Sequence, residues 1–144
     1  MRTKLSYLCI GSLLLAILSG CVASTSGHLS IMREQVIKGR YYVERSPKDG
    51  RDLATTIAER MRFRGLDAVA GPAAPSDVDY IVTYIDRWHW EMRMYMSDMR
   101  IELHTAKDRS LVGYGDSAQS SLAAMGKSYA DVIDKALGQL LMPR

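Results

Sequence analysis

The first 21 residues constrain this chain most, because they decide how much of it is left to fold. Arg2 and Lys4 make a basic start, and residues 5–18 are almost wholly apolar, with Leu13, Leu14, Leu15, Ala16, Ile17 and Leu18 at their end. That run is shorter than the roughly 20 residues a helix needs to cross hydrocarbon. It reads as the apolar stretch of a secretory leader. It ends in Leu18, Ser19, Gly20 and Cys21: a branched apolar residue, two small ones and a cysteine. Small residues open a peptide bond to a peptidase, and a thiol is a nucleophile that can accept a diacylglyceryl group.

These four residues match the lipobox of bacterial lipoproteins. The match implies a signal peptide over 1–20, recognised through Leu18, Ser19 and Gly20. It also implies diacylglycerol on the thiol of Cys21 and a fatty acid such as palmitate on its new amino group. Each buried CH₂ contributes about 0.8 kcal/mol, so more than one chain anchors a protein durably. Val22 stands where an aspartate would imply inner-membrane retention. The expected location is therefore the outer membrane, on its periplasmic face. Residues 22–27 are small and polar without periodicity, which fits a flexible tether. The expected organisation is a leader over 1–20, the lipidated cysteine and tether over 21–31, and one periplasmic domain over 32–144.

Removal of the leader changes the charge. Of 19 basic residues, Arg2 and Lys4 leave with it, so 17 face 16 acids in the remainder. That balance gives no support for a nucleic-acid partner, which needs a basic face. Cys9 lies in the leader and Cys21 is the anchor, so the domain has no disulfide and no cysteine metal site. Its stability must come from a single core.

Residues 39–44 have the aromatic and β-branched content of a strand. Ser46, Pro47, Asp49 and Gly50 interrupt it and offer helix caps. Leu53, Ile57 and Met61 recur every fourth residue with Ala54 and Ala58 beside them, predicting a helix over 51–64 closed by Gly65. A short apolar run over 66–70 predicts a second strand. Residues 79–85 are apolar on both faces and predict a central strand. Met99, Ile101 and Leu103 alternate with charged residues, the mark of a half-buried strand. Residues 111–115 predict another, its glycines pointing to a bulge or a close approach. Val132, Ile133, Ala136, Leu137 and Leu140 outline a last helix, begun by Ser128 and Asp131 as a capping box. The order is β-α-β-β-β-β-α. It implies an α+β fold: a mixed sheet containing an antiparallel meander, with two helices packed on one face.

Residues 88–96 hold both tryptophans, and Met92, Met94 and Met96 among nine methionines. They must contain a reversal, yet no Gly, Asn or Pro marks it. A turn at Met96 and Ser97 would set Arg93 opposite Arg100 and Glu91 opposite Glu102, and like charges directly opposite destabilise. The reversal is therefore expected near 89–93, with a strand from about Met94 to Thr105. Three roles stay open for this hairpin end. It can fill the core. It can be a recognition patch built on Trp88, Trp90, Arg93 and Tyr95, since such residues are enriched in binding surfaces. It can be a copper site using His89, Met92, Met94 and Met96, since thioethers are soft ligands.

Enzyme chemistry finds little support. Ser117, Ser120, Ser121 and Ser128 lack a nucleophile elbow, and His28, His89 and His104 are isolated from one another. Asp77 and Asp79 suit a turn and a strand start. Arg60, Arg62 and Arg64 suit a helix C-terminus, though they could also meet anionic lipid or glycan. No cofactor is expected beyond the lipid on Cys21.

Asp79 to Tyr84, then residues 90–96, then Val112, Gly113 and Tyr114 resemble the small proteobacterial outer-membrane lipoproteins of unknown function, with Glu91 where their pattern has aspartate. The order of elements is also similar to lipoproteins that activate peptidoglycan synthases or assist lipid transport. These resemblances imply a non-catalytic binding or scaffolding module, held to the membrane by its lipid and partnered by an envelope protein. Accessory work in envelope assembly or transport, or periplasmic copper handling, are the alternatives.

Overall fold

The computed structural model describes residues 25–29 and 38–142. The leader, Cys21 and the signal-peptidase residues Leu18, Ser19 and Gly20 lie outside the described residues. The elements are β1 (Thr25–Leu29), β2 (Arg40–Glu44), α1 (Leu53–Phe63), β3 (Asp67–Gly71), β4 (Tyr80–Glu91), β5 (Arg93–Thr105), β6 (Leu111–Ala118), the single-turn α2 (Ser121–Ala124) and α3 (Tyr129–Leu141).

The expected α+β layout is present. Six strands form one mixed sheet in the order β1-β6-β5-β4-β2-β3. Strands β2, β3 and β4 run parallel, and β4, β5 and β6 form the antiparallel meander. One strand is additional to the expected layout. Residues 25–29, inside the stretch read as tether, pair antiparallel with β6 from Thr25↔Ser117 to Leu29↔Gly113. Within the stretch 21–31 expected as tether, Thr25–Leu29 are thus paired in the sheet.

Both long helices pack on one face of the sheet. Between them and the sheet lie Tyr41, Val43, Ile57, Met61, Val82, Ile101, Leu103, Ile133, Leu137 and Leu140, all essentially inaccessible. Helix α1 starts on a carboxylate. Asp49 accepts from the amides of Leu53 and Ala54 at 2.9 and 3.1 Å and from the Tyr84 hydroxyl at 2.7 Å. Burial alone would raise the pKa of Asp49, but these donors outweigh it and hold the carboxyl below its ordinary value. The helix ends on Gly65 at φ 82°, where the amides of Gly65 and Leu66 return to Arg62 and Met61. That is the left-handed stop its sequence predicts. Helix α3 begins with the Ser128 amide on the Asp131 carboxylate at 2.8 Å.

The glycine-rich β6 reflects close approach. A Cβ on Gly115 would stand 2.1 Å from the Ala136 carbonyl oxygen and 2.6 Å from the Leu140 amide nitrogen. Only glycine lets α3 lie this close to the strand. The arginines ending α1 are engaged: Arg60 and Arg64 both bind Asp134 of α3, and Arg62 donates to the Ala68 carbonyl at 2.8 Å.

Candidate functional site

The β4–β5 hairpin turns at Met92, with Glu91 paired to Arg93, Trp90 to Met94, His89 to Tyr95 and Trp88 to Met96. This is the reversal expected within 89–93. Opposite charges face each other at Arg87↔Asp98 and Glu91↔Arg93, which supports this register over one that pairs like charges. The missing turn glycine has an explanation. Met92 itself takes a left-handed φ of 51°, a conformation L-residues adopt at a cost.

A register shift between Arg87 and Trp88 separates the base of the hairpin from its end. At the base, β6 lies beside β5 and the helices lie above. Strand β6 stops at Ala118, opposite Asp98, so residues 93–97 have no strand on that side. The chain following β6 is laid along this edge. The Gln119 amide donates to the Ser97 carbonyl at 2.8 Å and its side chain to the Met96 carbonyl at 2.9 Å. The Arg93 guanidinium donates to the Ala124 carbonyl at the end of α2. Helix α2 is thereby fixed against the hairpin, and it carries Leu122, with Met125 just beyond.

The residues singled out from sequence divide into three groups. Met96 is buried in the core. Trp88 is packed against that core. Its ring lies 4.0 Å below the Arg51 guanidinium and 6.2 Å from the Tyr129 ring, and its Nε1 donates to Asp86 at 2.7 Å. The third group is free: Trp90 is 70% exposed, Met92 fully exposed and Met94 48% exposed. Tyr95 is half-buried and stacks on His89 at 6.2 Å. The core and surface readings thus apply to different residues of one segment.

The copper arrangement is not assembled. Alternation puts Trp88, Trp90, Met94 and Met96 on one face of the hairpin and His89 with Tyr95 on the other. His89 therefore points away from Met94 and Met96, and Met96 is inaccessible. Among the described residues, no group of three or more His, Cys, Asp and Glu could hold a metal ion. His104 is occupied by Thr83 and by the Arg109 carbonyl, each at 3.2 Å. Asp79 accepts from the Arg40 amide at 2.8 Å, and Asp77 pairs with the Arg40 side chain, so both acids organise the start of β2.

Sequence reasoning missed Leu122 and Met125, which are 75% and 68% exposed. They sit some thirty residues from the hairpin in sequence. With Glu91, Met92, Arg93 and Tyr95 they line a groove of about 370 Å³. Two large side chains three residues apart, just after the Ser120 cap of α2, were the available signal. The groove offers Met92, Tyr95, Leu122 and Met125 beside the charges of Glu91 and Arg93, and Lys127 lines a neighbouring groove with Trp88 and Met94. The arrangement can bind apolar or amphipathic matter, and it shows no acid–base pair poised for chemistry.

No family model matches the chain, and no curated protein does. Among solved structures, it is similar to the PelC dodecamer from Paraburkholderia phytofirmans, with a TM-score of 0.59 and 14% identity over 83% of this chain and 99% of that one. A point variant of PelC, also a dodecamer, gives the same values. A PDZ-domain protein from Parabacteroides distasonis aligns at a TM-score of 0.47 and 9% identity, covering 95% of this chain and 39% of that one. The PelC match is one of fold.

Proposed function

We propose that this chain is a lipoprotein tethered through Cys21 to the periplasmic face of the outer membrane. Its folded domain is a non-catalytic binding or scaffolding module of the cell envelope, and the hairpin end is its working surface. One observation carries this reading: five large exposed apolar side chains, Trp90, Met92, Met94, Leu122 and Met125, fall at one end of the domain, whereas Phe63, Ile85, Leu111 and Met142 are exposed elsewhere on it. A cluster of this kind, rimmed by polar residues, marks a site of contact, and Trp and Met are enriched where contacts form.

The test has two parts. Mass spectrometry of the protein extracted from membranes should find Cys21 as the first residue, carrying acyl chains. A photo-crosslinker at position 90, used in intact cells, should give adducts absent when it stands at Leu111, an exposed apolar residue at the other end of the sheet. Equal labelling from both positions would remove the hairpin end as the working surface. An unacylated product with its leader retained would remove the envelope assignment.

A further inference from the structure

We propose that the hairpin end is a membrane-contact element, which seats Trp90 and Met92 in the interfacial layer of the leaflet that holds the acyl chains of Cys21. The proposal rests on the lipoprotein reading above, and it names the occupant of that surface as a phospholipid bilayer.

Thr25 pairs with Ser117, and Ser117 pairs with Met99. Strand β1 runs from Thr25 toward Leu29, which pairs with Gly113, which pairs with Leu103. The chain therefore enters the sheet at the level of Met99 and runs away from the hairpin end. Thr25 is thus the residue of β1 nearest the hairpin end.

Lengths then decide the outcome. Cys21 precedes Thr25 by four residues, which span at most about 14 Å when fully extended. From Met99 to Arg93 the strand continues for six residues, or roughly 20 Å at a strand's rise per residue. The hairpin reaches farther along the strand direction than the anchor can. With Cys21 at the membrane surface and the sheet upright, the end of the hairpin overlaps the bilayer by about the depth at which interfacial helices bury their apolar face, roughly 5–10 Å.

The chemistry suits that depth. Tryptophan is enriched at membrane interfaces, where its ring is buried and its N–H stays wet. Trp90 and Met92 lead, and Leu122 and Met125 widen the apolar contact on one side. Lys127 lines a groove at this end, where a cation near an anionic headgroup is favoured. Glu91 stands opposite Arg93 in register, so its charge is balanced locally. Phe63 at the end of α1, Ile85 within β4, Leu111 at the start of β6 and Met142 after α3 are exposed away from the hairpin end.

The acylated protein, purified from membranes and reconstituted into vesicles of phosphatidylethanolamine and phosphatidylglycerol, supplies the test. In a Trp88→Phe background Trp90 is the sole tryptophan. Vesicles whose acyl chains carry bromine should quench most of its emission, and the emission should lie to the blue of the same protein in detergent-free buffer after enzymatic removal of the lipid. Adding Met92→Glu should lower the ratio of inserted to free protein roughly tenfold, as expected for exchanging a buried apolar side chain for a charge, and restore much of the emission. Far-UV circular dichroism should stay unchanged in both variants. An acylated protein whose Trp90 is not quenched, or is quenched equally with Met92→Glu, overturns the proposal. If quenching is absent while position 90 crosslinks to a protein in cells, the end binds a protein: membrane contact falls and the working-surface reading stands. If neither occurs, both fall. An unacylated Cys21 sinks the proposal together with the reading it rests on.

Discussion

Strands β4 and β5 form one ladder with two fates. Near its base, Val82, Tyr84, Ile101 and Leu103 lie under the helices and are buried. At its end, Trp90 and Met94 continue the same face into solvent, and Met92 is fully exposed at the turn. The pleat is the same in both halves, and both are rich in large apolar residues. What differs is the cover. Helix α3 sits directly on Gly115 beside the base, whereas the end has only α2 along one edge and Trp88 as the last residue tied to the core. Apolar content alone therefore does not assign a strand residue to the core; the element above it does. The hairpin end keeps the apolar residues and lacks the cover.

That contrast can be broken first at the base. Replacing Gly115 with Val places side-chain carbon against the backbone of α3, which cannot yield as a flexible side chain would. Overpacking commonly costs about 1–3 kcal/mol. Here the whole helix must lift, so a loss of roughly 3 kcal/mol or more is expected, a large share of the stability of a domain this size. Urea unfolding would measure it, and a near-neutral result would show that α3 does not hold the base as described.

Between base and end stands Asp49, which ties the start of α1 to Tyr84 of β4. Asp49→Ala should cost about 1–2 kcal/mol at neutral pH, the range for a lost helix cap. The folded carboxyl has a pKa below its ordinary value. Its contribution is therefore complete above the unfolded carboxylate pKa and is lost as pH falls through the lowered folded value. The difference between wild type and Asp49→Ala should shrink in acid and hold constant from pH 6 to 8, a range that starts about two pH units above ordinary carboxylates. A gap that widens in acid would contradict the assignment.

The smallest effect sharpens the comparison most. Trp90→Ala removes the larger of the two leading side chains at the end, yet thermal or urea unfolding should shift by no more than about 0.5 kcal/mol, as for surface positions free of specific contacts. A loss of several kcal/mol would mean that Trp90 packs as its neighbour Trp88 does.

Much of the base was legible in the chain itself. The fourfold spacing of Leu53, Ile57 and Met61, the stop at Gly65 and the cap at Ser128 and Asp131 are local signals, and each maps to an observed element. Charge pairing located the reversal where turn residues did not, because Met92 adopts the strained backbone itself. Strand β1 was not legible. Thr25, Ser26, Gly27, His28 and Leu29 show no alternation, and their pairing depends on a free edge of β6 supplied from far along the sequence. The division of the Trp- and Met-rich segment was hidden for a related reason. Periodicity shows which residues share a face, but where α3 and β6 end is a tertiary fact, and it separates Met96 from Met94. Leu122 and Met125 join the surface only through the Arg93 and Gln119 hydrogen bonds.

The antiparallel seating of β1 has a mechanical corollary. A pull applied through the residues ahead of Thr25 runs along the strand, while its hydrogen bonds to β6 lie across it. Such tension loads the five-residue ladder in shear, all rungs together, instead of peeling them one by one. Were the order of the strand reversed, the same tug would unzip the edge from its first rung, so the direction in which this short segment enters the sheet sets how much tension the edge can bear.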